Sequence, residues 1–292
     1  MAARRRGKKK SGRSYAWRYR GRIVACVFVE VIIICALVIM IGWNKGVKEW
    51  FEQFEQPVLK EVDISGINSP NAILMQARGG KILGEINGEA QIYPASMTKI
   101  MTVILGIENF DDLDEKITLT NEMFSGLYEQ DATQAGFQPG EEVRVIDLLY
   151  GAMLPSGAEC CIALADTISG SEADFAELMN KKAGKLGMEN THFCDSTGLH
   201  NPDHYSTVKD IAVLMKYCIK NDTFREIVET SRHSTGVTNI HPDGITYYST
   251  MFKNLSDPTV TGGKILGGKT GYTSEAGHCL VSFAEIEGRE YI

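Results

Sequence analysis

The sequence predicts a mixed α/β protein of the α+β kind, and three observations predict it. Two apolar segments joined by glycines lie within 72–86, residues from about 111 to 234 are mostly helical in pattern, and strand character returns from 264. With 43% hydrophobic and 23% charged residues the composition is that of a folded chain, so disorder is not the default. The 292 residues suffice for one large domain or two small ones, and no internal repeat is visible.

Residues 1–22 carry ten Lys or Arg and no acid, leaving 20 basic against 37 acidic residues in the rest, a net charge of −17. An acidic body with a basic tail argues against a nucleic-acid partner and for a membrane. Ile23–Trp43 holds 21 residues with Glu30 as its one ionisable group, about the length a helix needs to cross the ~30 Å hydrocarbon layer. Met40-Ile41-Gly42-Trp43-Asn44 lacks a small-x-small cleavage site, so the segment reads as an uncleaved anchor. The expectation is a single-pass protein of the cell membrane, with its basic tail cytoplasmic and everything after Trp43 extracytoplasmic. Residues 44–62 are expected to form a juxtamembrane stalk, in which Val47, Trp50, Phe51 and Phe54 recur at helical spacing until Pro57; 63–292 is the main folded domain. Of seven cysteines, Cys26 and Cys35 fall in the span, leaving Cys160, Cys161, Cys194, Cys218 and Cys279. Five thiols cannot all pair within one chain and no Cys-x-x-Cys is present, so they read as buried small side chains.

Ala72–Ala77 and Ile82–Ile86 form a strand pair around the turn Arg78-Gly79-Gly80-Lys81. Next comes Tyr93-Pro94-Ala95-Ser96-Met97-Thr98-Lys99, then the apolar run Ile100–Gly106. Pro94 suits a first helical turn, and the run after it is apolar on nearly every side, the pattern of a buried helix. Ser96 and Lys99, three apart, lie on one face, and burial disfavours the charged ammonium, making Lys99 a candidate base and Ser96 a candidate nucleophile. A serine three before a lysine arises by chance about once in such a chain, and Ser206-Thr207-Val208-Lys209 is that control: Ser206 or Thr207 reads as a helix cap and Lys209 as solvated. The first pair differs in its company. Val145–Leu154 and Cys160–Ala165 read as consecutive helices with Ser156 in the turn between them, and Lys269-Thr270-Gly271 lies in the strand beginning at Lys264. A Lys-Thr-Gly triplet arises by chance in roughly one such chain in ten. Strand character recurs at His278–Ala284, and the chain stops inside a further strand after the turn at Gly288-Arg289, which predicts a sequence cut short.

A serine-x-x-lysine, a second serine and a Lys-Thr-Gly in this order are the three-part signature of penicillin-binding proteins and related β-lactamases. With Leu154-Pro155-Ser156-Gly157, His204-Tyr205-Ser206-Thr207 and Gly268-Lys269-Thr270-Gly271-Tyr272-Thr273, the chain from about residue 65 resembles the serine D-alanyl-D-alanine carboxypeptidases, the low-molecular-weight penicillin-binding proteins. The resemblance implies an antiparallel sheet flanked by helices, with a mostly helical insert. It implies that Ser96 attacks the bond between two terminal D-alanines of a peptidoglycan stem peptide, forming an acyl-enzyme, and that β-lactams are covalent inhibitors. Lys99 then accepts the proton, Ser156 passes one to the leaving amine, and Lys269 with Thr270 receives the terminal carboxylate. Gly271 lets an extended substrate lie along the strand, the backbone N–H groups of Ser96 and Tyr272 form the oxyanion hole, and no cofactor or metal is needed. The wider expectation is a part in peptidoglycan synthesis and cell shape.

The resemblance departs at one position: the family usually has Asn two residues after the second serine, and here that residue is Ala158, followed by Glu159. The departure motivates a rival reading, a catalytically weak, membrane-anchored penicillin- or wall-binding protein. A β-lactamase is a weaker rival, because the Ser-Asp-Asn triplet and a convincing deacylating glutamate are absent. A zinc D,D-peptidase built on His192, His200 and His204 with Asp195 or Asp203 is weaker still, since isolated histidines near a Gly-Leu turn are more often structural.

Overall fold

The computed structural model describes residues 60–255 and 257–292, and residues 60–292 form one compact unit. The basic tail, the expected membrane span and most of the expected stalk lie outside the described residues; among those described, no helix is long and apolar enough to cross a membrane.

The hairpin forms as its pattern predicts. Strand β1 (Ala72–Met75) pairs antiparallel with β2 (Ile82–Ile86) across a turn containing Gly79 and Gly80. Near the other end of the chain, β7 (Thr259–Val260), β8 (Gly263–Thr273), β9 (Gly277–Ile286) and β10 (Arg289–Tyr291) form an antiparallel sheet. The two meet where Met75 and Ile292 exchange backbone hydrogen bonds of 2.8 Å and Gln76 bridges Tyr291. The resulting order is β2-β1-β10-β9-β8-β7. On β9, Val281 and Phe283 turn into the core, and on β8 Lys269, the register partner of Val281, is buried with them.

Helix α1 (Lys99–Asn109) is the central element, and every residue from Lys99 to Gly106 is buried, as its all-round apolar sequence requires. It packs against α2 (Val145–Met153) and α3 (Ala158–Ser169), with α4 (Glu172–Leu186), α5 (Val208–Cys218) and α6 (Asp222–Glu229) completing the helical layer. Capping follows the chemistry of the sequence: Ser171 and Asn221 accept the amides of Asp174 and Phe224, and Gly170 and Gly187 close α3 and α4 in the left-handed region. Thr207 caps α5 by accepting the Asp210 amide, and Lys209 pairs at the surface with Glu89, so the control Ser206–Lys209 stretch is a cap and a solvated lysine.

Two expectations are corrected. Residues 111–144 are not helical but hold the short ladder β3 (Lys116–Thr118) with β4 (Glu142–Arg144), a 3-10 turn at Glu122–Phe124 and loops. The helical stretch itself ends before a hairpin, β5 (Arg232–Ser234) with β6 (Thr246–Tyr248), followed by the short helix α7 (Thr250–Lys253). The loop of this hairpin is tied to buried acids on the helical side. Asp147 accepts the Gly236 amide at 3.2 Å and lies 3.1 Å from His233 Nε2, while Glu141 accepts the Thr238 hydroxyl at 2.6 Å and lies 2.7 Å from His241 Nδ1. Strands of three residues held by such distant polar ties leave little periodic signal. The five cysteines of the described residues are free thiols, with Cys160, Cys161 and Cys218 fully buried.

Candidate active site

Pro94 stands just before a 3-10 turn, Ala95–Thr98, and Lys99 is the first residue of α1. The start of the helix is thus tighter than a regular α-turn. With three residues per turn, side chains at i and i+3 eclipse, which brings Ser96 and Lys99 together more directly than α-helical spacing would. Lys99 Nζ lies 3.1 Å from Ser96 Oγ and donates at 2.6 Å to the Thr197 carbonyl. Lys99 is 3% exposed, whereas Ser96 keeps partial access to solvent.

Ser156 lies between α2 and α3 with φ +73°, a left-handed conformation that is costly for a non-glycine residue and that aims its hydroxyl at the strand. Lys269 Nζ donates to Ser156 Oγ at 3.0 Å and to the Thr270 carbonyl at 2.8 Å. Lys269 is 1% exposed, and its pKa is pushed down to about 7, first by burial and then by the charge of Lys99. The two amines therefore share one buried region. The Cys161 thiol nearby is held protonated, pushed up to about 12 by burial, so it does not compete as a nucleophile.

Gly271 is where β8 touches the nucleophile turn. A Cβ at this position would lie 3.0 Å from the Ser96 amide nitrogen and 3.2 Å from the Pro94 carbonyl oxygen. Beyond admitting an extended substrate, as the resemblance implies, this glycine lets strand and turn approach backbone to backbone. Thr270 Oγ1 lies 2.7 Å from Thr250 Oγ1 of α7, and the Tyr272 ring is 62% exposed, tilted against His278 at 4.8 Å. β7 pairs with β8 at Gly263 and Lys264 alone, so toward Thr273 that edge of β8 has no strand partner among the described residues. Ser96, Lys99, Ser156, Lys269 and Gly271 thus meet in one place, from the 3-10 turn, α1, the α2–α3 turn and β8.

Several participants were not legible as such. Thr197 contributes a backbone carbonyl, which carries no side-chain signature. Glu159 is fully buried, and its Oε1 accepts the amides of Ala135 at 2.6 Å and Gly136 at 2.9 Å, while Oε2 has no hydrogen-bond partner. Burial raises its pKa. Together with the Ala158 amide, which donates to the Thr133 carbonyl at 2.8 Å, it fastens the 133–136 loop beside Ser156. Ala158 is buried, and Lys99 holds both of its partners without an amide side chain there. The three histidines of the zinc reading turn to different partners: His192 to the Asp203 carbonyl, His200 to the Tyr93 ring, and His204 to Thr98. Among the described residues, no group of three or more His, Cys, Asp or Glu is placed to hold a metal ion.

The chain is similar to proteins of known activity. D-alanyl-D-alanine carboxypeptidase DacF of Bacillus subtilis is 35% identical over 217 residues, covering 74% of this chain and 54% of the relative. DacC of Escherichia coli is 33% identical, covering 76% and 55%, so the chain spans about half the length of these relatives. The crystal structure of a Streptomyces DD-transpeptidase superposes with a TM-score of 0.70 at 30% identity, over 79% of this chain and 90% of that one. Residues 58–292 match the family model described as D-alanyl-D-alanine carboxypeptidase. Since that model spans most of the chain and both relatives exceed 30% identity, this chain belongs to the D-alanyl-D-alanine carboxypeptidase family.

Proposed function

We propose that the chain is a serine D,D-carboxypeptidase that removes the terminal D-alanine of peptidoglycan stem peptides through an acyl-enzyme on Ser96, and that penicillins acylate the same hydroxyl. The observation that carries this reading is the double pairing of Lys99 with Ser96 at 3.1 Å and of Lys269 with Ser156 at 3.0 Å, with the two lysines close enough to feel each other's charge. Ser96 Oγ attacks the carbonyl carbon of the penultimate D-alanine as Lys99 Nζ takes the hydroxyl proton. The oxygen that gains charge is held by the N–H groups of Ser96 and Tyr272. Ser156 delivers a proton to the leaving nitrogen and is reprotonated from the paired lysines, so free D-alanine departs. Water then cleaves the ester by the same route in reverse. The substrate carboxylate sits at Thr270, where it draws a proton onto Lys269, and the extended peptide pairs with the free edge of β8.

The apolar Ile23–Trp43 segment and the basic tail before it support a cell-membrane protein whose domain works outside the membrane. Mass spectrometry after incubation with penicillin tests the central claim: an adduct on the wild type that is lost in Ser96→Ala, with D-alanine released from a stem pentapeptide, is expected. A wild type with no adduct would leave the weak wall-binding reading. The Streptomyces neighbours are described as DD-transpeptidases, which favours transfer of the acyl group to an amine as a second reading. Product analysis with an added amine acceptor separates it from hydrolysis.

A further inference from the structure

Lys99 is a flexible side chain that must point at one hydroxyl, and the acceptor on its far side is the Thr197 carbonyl at 2.6 Å. Thr197 lies in a loop without regular secondary structure, so something must hold that carbonyl in place. Asp195 Oδ1 accepts three hydrogen bonds of 2.7 Å, from the Thr197 amide, the Thr197 hydroxyl and the Gly198 amide. Its Oδ2 lies 3.1 Å from His204 Nδ1, and His204 Nε2 lies 2.8 Å from Thr98 Oγ1. Thr98 is the residue covalently joined to Lys99. The contacts therefore close a ring that runs from Lys99 through Thr197, Asp195, His204 and Thr98 back to Lys99.

Most of the ring is dry: Thr98, Thr197 and His204 are each 2% exposed or less, while the Asp195 side chain keeps 19% exposure. A proton on Nδ1 faces the carboxylate and leaves Nε2 to accept the Thr98 hydroxyl hydrogen; the Cys194 amide, 3.2 Å from the same Nδ1, is a neutral neighbour and the weaker claimant. Although burial pushes the Asp195 carboxyl upward, its bonds with His204 and Thr197 hold it down at about 2. The loop is also pressed onto the nucleophile turn. Gly198 has φ +80°, and a Cβ there would lie 1.9 Å from the Ala95 carbonyl oxygen.

We propose that Asp195 and His204, with Thr98, are positioning residues that fix the Thr197 carbonyl and so hold Lys99 on Ser96. This inference rests on the carboxypeptidase reading and adds to it residues that touch neither substrate nor the reacting atoms.

The test uses the full chain and a fluorescent penicillin, separating the maximal acylation rate from the reversible binding constant, with Tm measured alongside. His204→Ala and Asp195→Ala break the ring, and their maximal acylation rate is expected to fall about 30-fold or more with binding changed less than about threefold. His204→Gln and Asp195→Asn keep a bridge of similar reach, since each amide donates to one neighbour and accepts from the other. Both are expected to recover to within about fivefold of wild type, because positioning needs the bridge and not an ionisable group. Alanine variants that acylate like the wild type overturn the proposal, as do folded amide variants as slow as the alanine ones. If the alanine variants do not fold, the amide variants decide alone by the same criterion. A wild type that forms no adduct sinks the carboxypeptidase reading and this proposal together, whereas normal wild-type labelling with unaffected variants sinks the proposal alone.

Discussion

A buried lysine with its pKa near neutrality is a cost that the fold bears for its site. Lys269 releases its proton at about 7 when folded against an ordinary 10.5 when unfolded. Between those values the unfolded chain binds the extra proton, so the penalty is fully present below pH 7 and shrinks as pH rises toward 10.5. Lys269→Met, similar in length and without the charge, is expected to raise Tm at pH 7 by roughly 5 °C while penicillin labelling drops by at least about 100-fold. Thermal melts at pH 7 and pH 9.5 check the sign, because the gap between variant and wild type should narrow at the higher pH. Glu159 makes the opposite case. Its Oε1 holds two loop amides, so Glu159→Ala should cost about 2–3 kcal/mol in urea unfolding, while Glu159→Gln keeps that acceptor and should cost less than half as much. Sequence reading found Ser96, Lys99, Ser156 and Lys269 because reactive side chains at fixed spacing leave a signature. It did not find the roles of Thr197 and Glu159, because a carbonyl acceptor and a carboxylate bound to loop amides depend on chain segments that meet in space only after folding.

At the scale of elements, the site depends on how closely β8 approaches the 3-10 turn that carries Ser96. Gly271→Ala places a methyl 3.0 Å from the Ser96 nitrogen, against backbone that cannot rotate away, so the strand must retreat by a few tenths of an ångström. Acylation is expected to fall about 100-fold with Tm lowered by less than about 4 °C, since a small misplacement of reacting groups costs far more in rate than in stability. A fluorescent-penicillin time course beside a thermal melt checks both. Gly198→Ala should act differently: a methyl 1.9 Å from the Ala95 carbonyl oxygen at φ +80° cannot be absorbed, and a loss of about 3 kcal/mol or more is expected in denaturant unfolding. The long periodic helices and the two glycine-joined strand pairs were legible from pattern. The 3-10 turn was not, because Ser-x-x-Lys spacing fits either helix type and the difference lies in Ala95, whose φ of +48° precludes a regular helical start. Residues 111–144 were misread as helical because their strands are three residues long, too short for alternation to register.

At the scale of the molecule, the described residues of the site all lie within 60–292. Ser96 lies in the 3-10 turn that leads into the central helix, Lys99 at the first residue of that helix, Ser156 in the helical layer and Lys269 on the sheet, so any disturbance of the packing between layers disturbs the site. The hydrophobic core runs continuously through both, joining Ile100 and Ile104 of α1 to Leu148 and Leu164 of the helices and to Phe283 of the sheet. A chain of residues 60–292 should therefore fold as one cooperative unit and label with fluorescent penicillin at a rate within about threefold of the full chain. The full chain should partition with lipid vesicles while the shorter one stays in the aqueous phase, because the apolar Ile23–Trp43 segment is removed with the tail. Vesicle flotation followed by in-gel fluorescence reads both properties in one experiment. Labelling that disappears with residues 1–59 would mean that the catalytic unit extends beyond the domain, and flotation of both chains would move the source of membrane affinity into 60–292. The expected pair of results, rate retained and flotation lost, assigns chemistry to the domain and location to the segment before it.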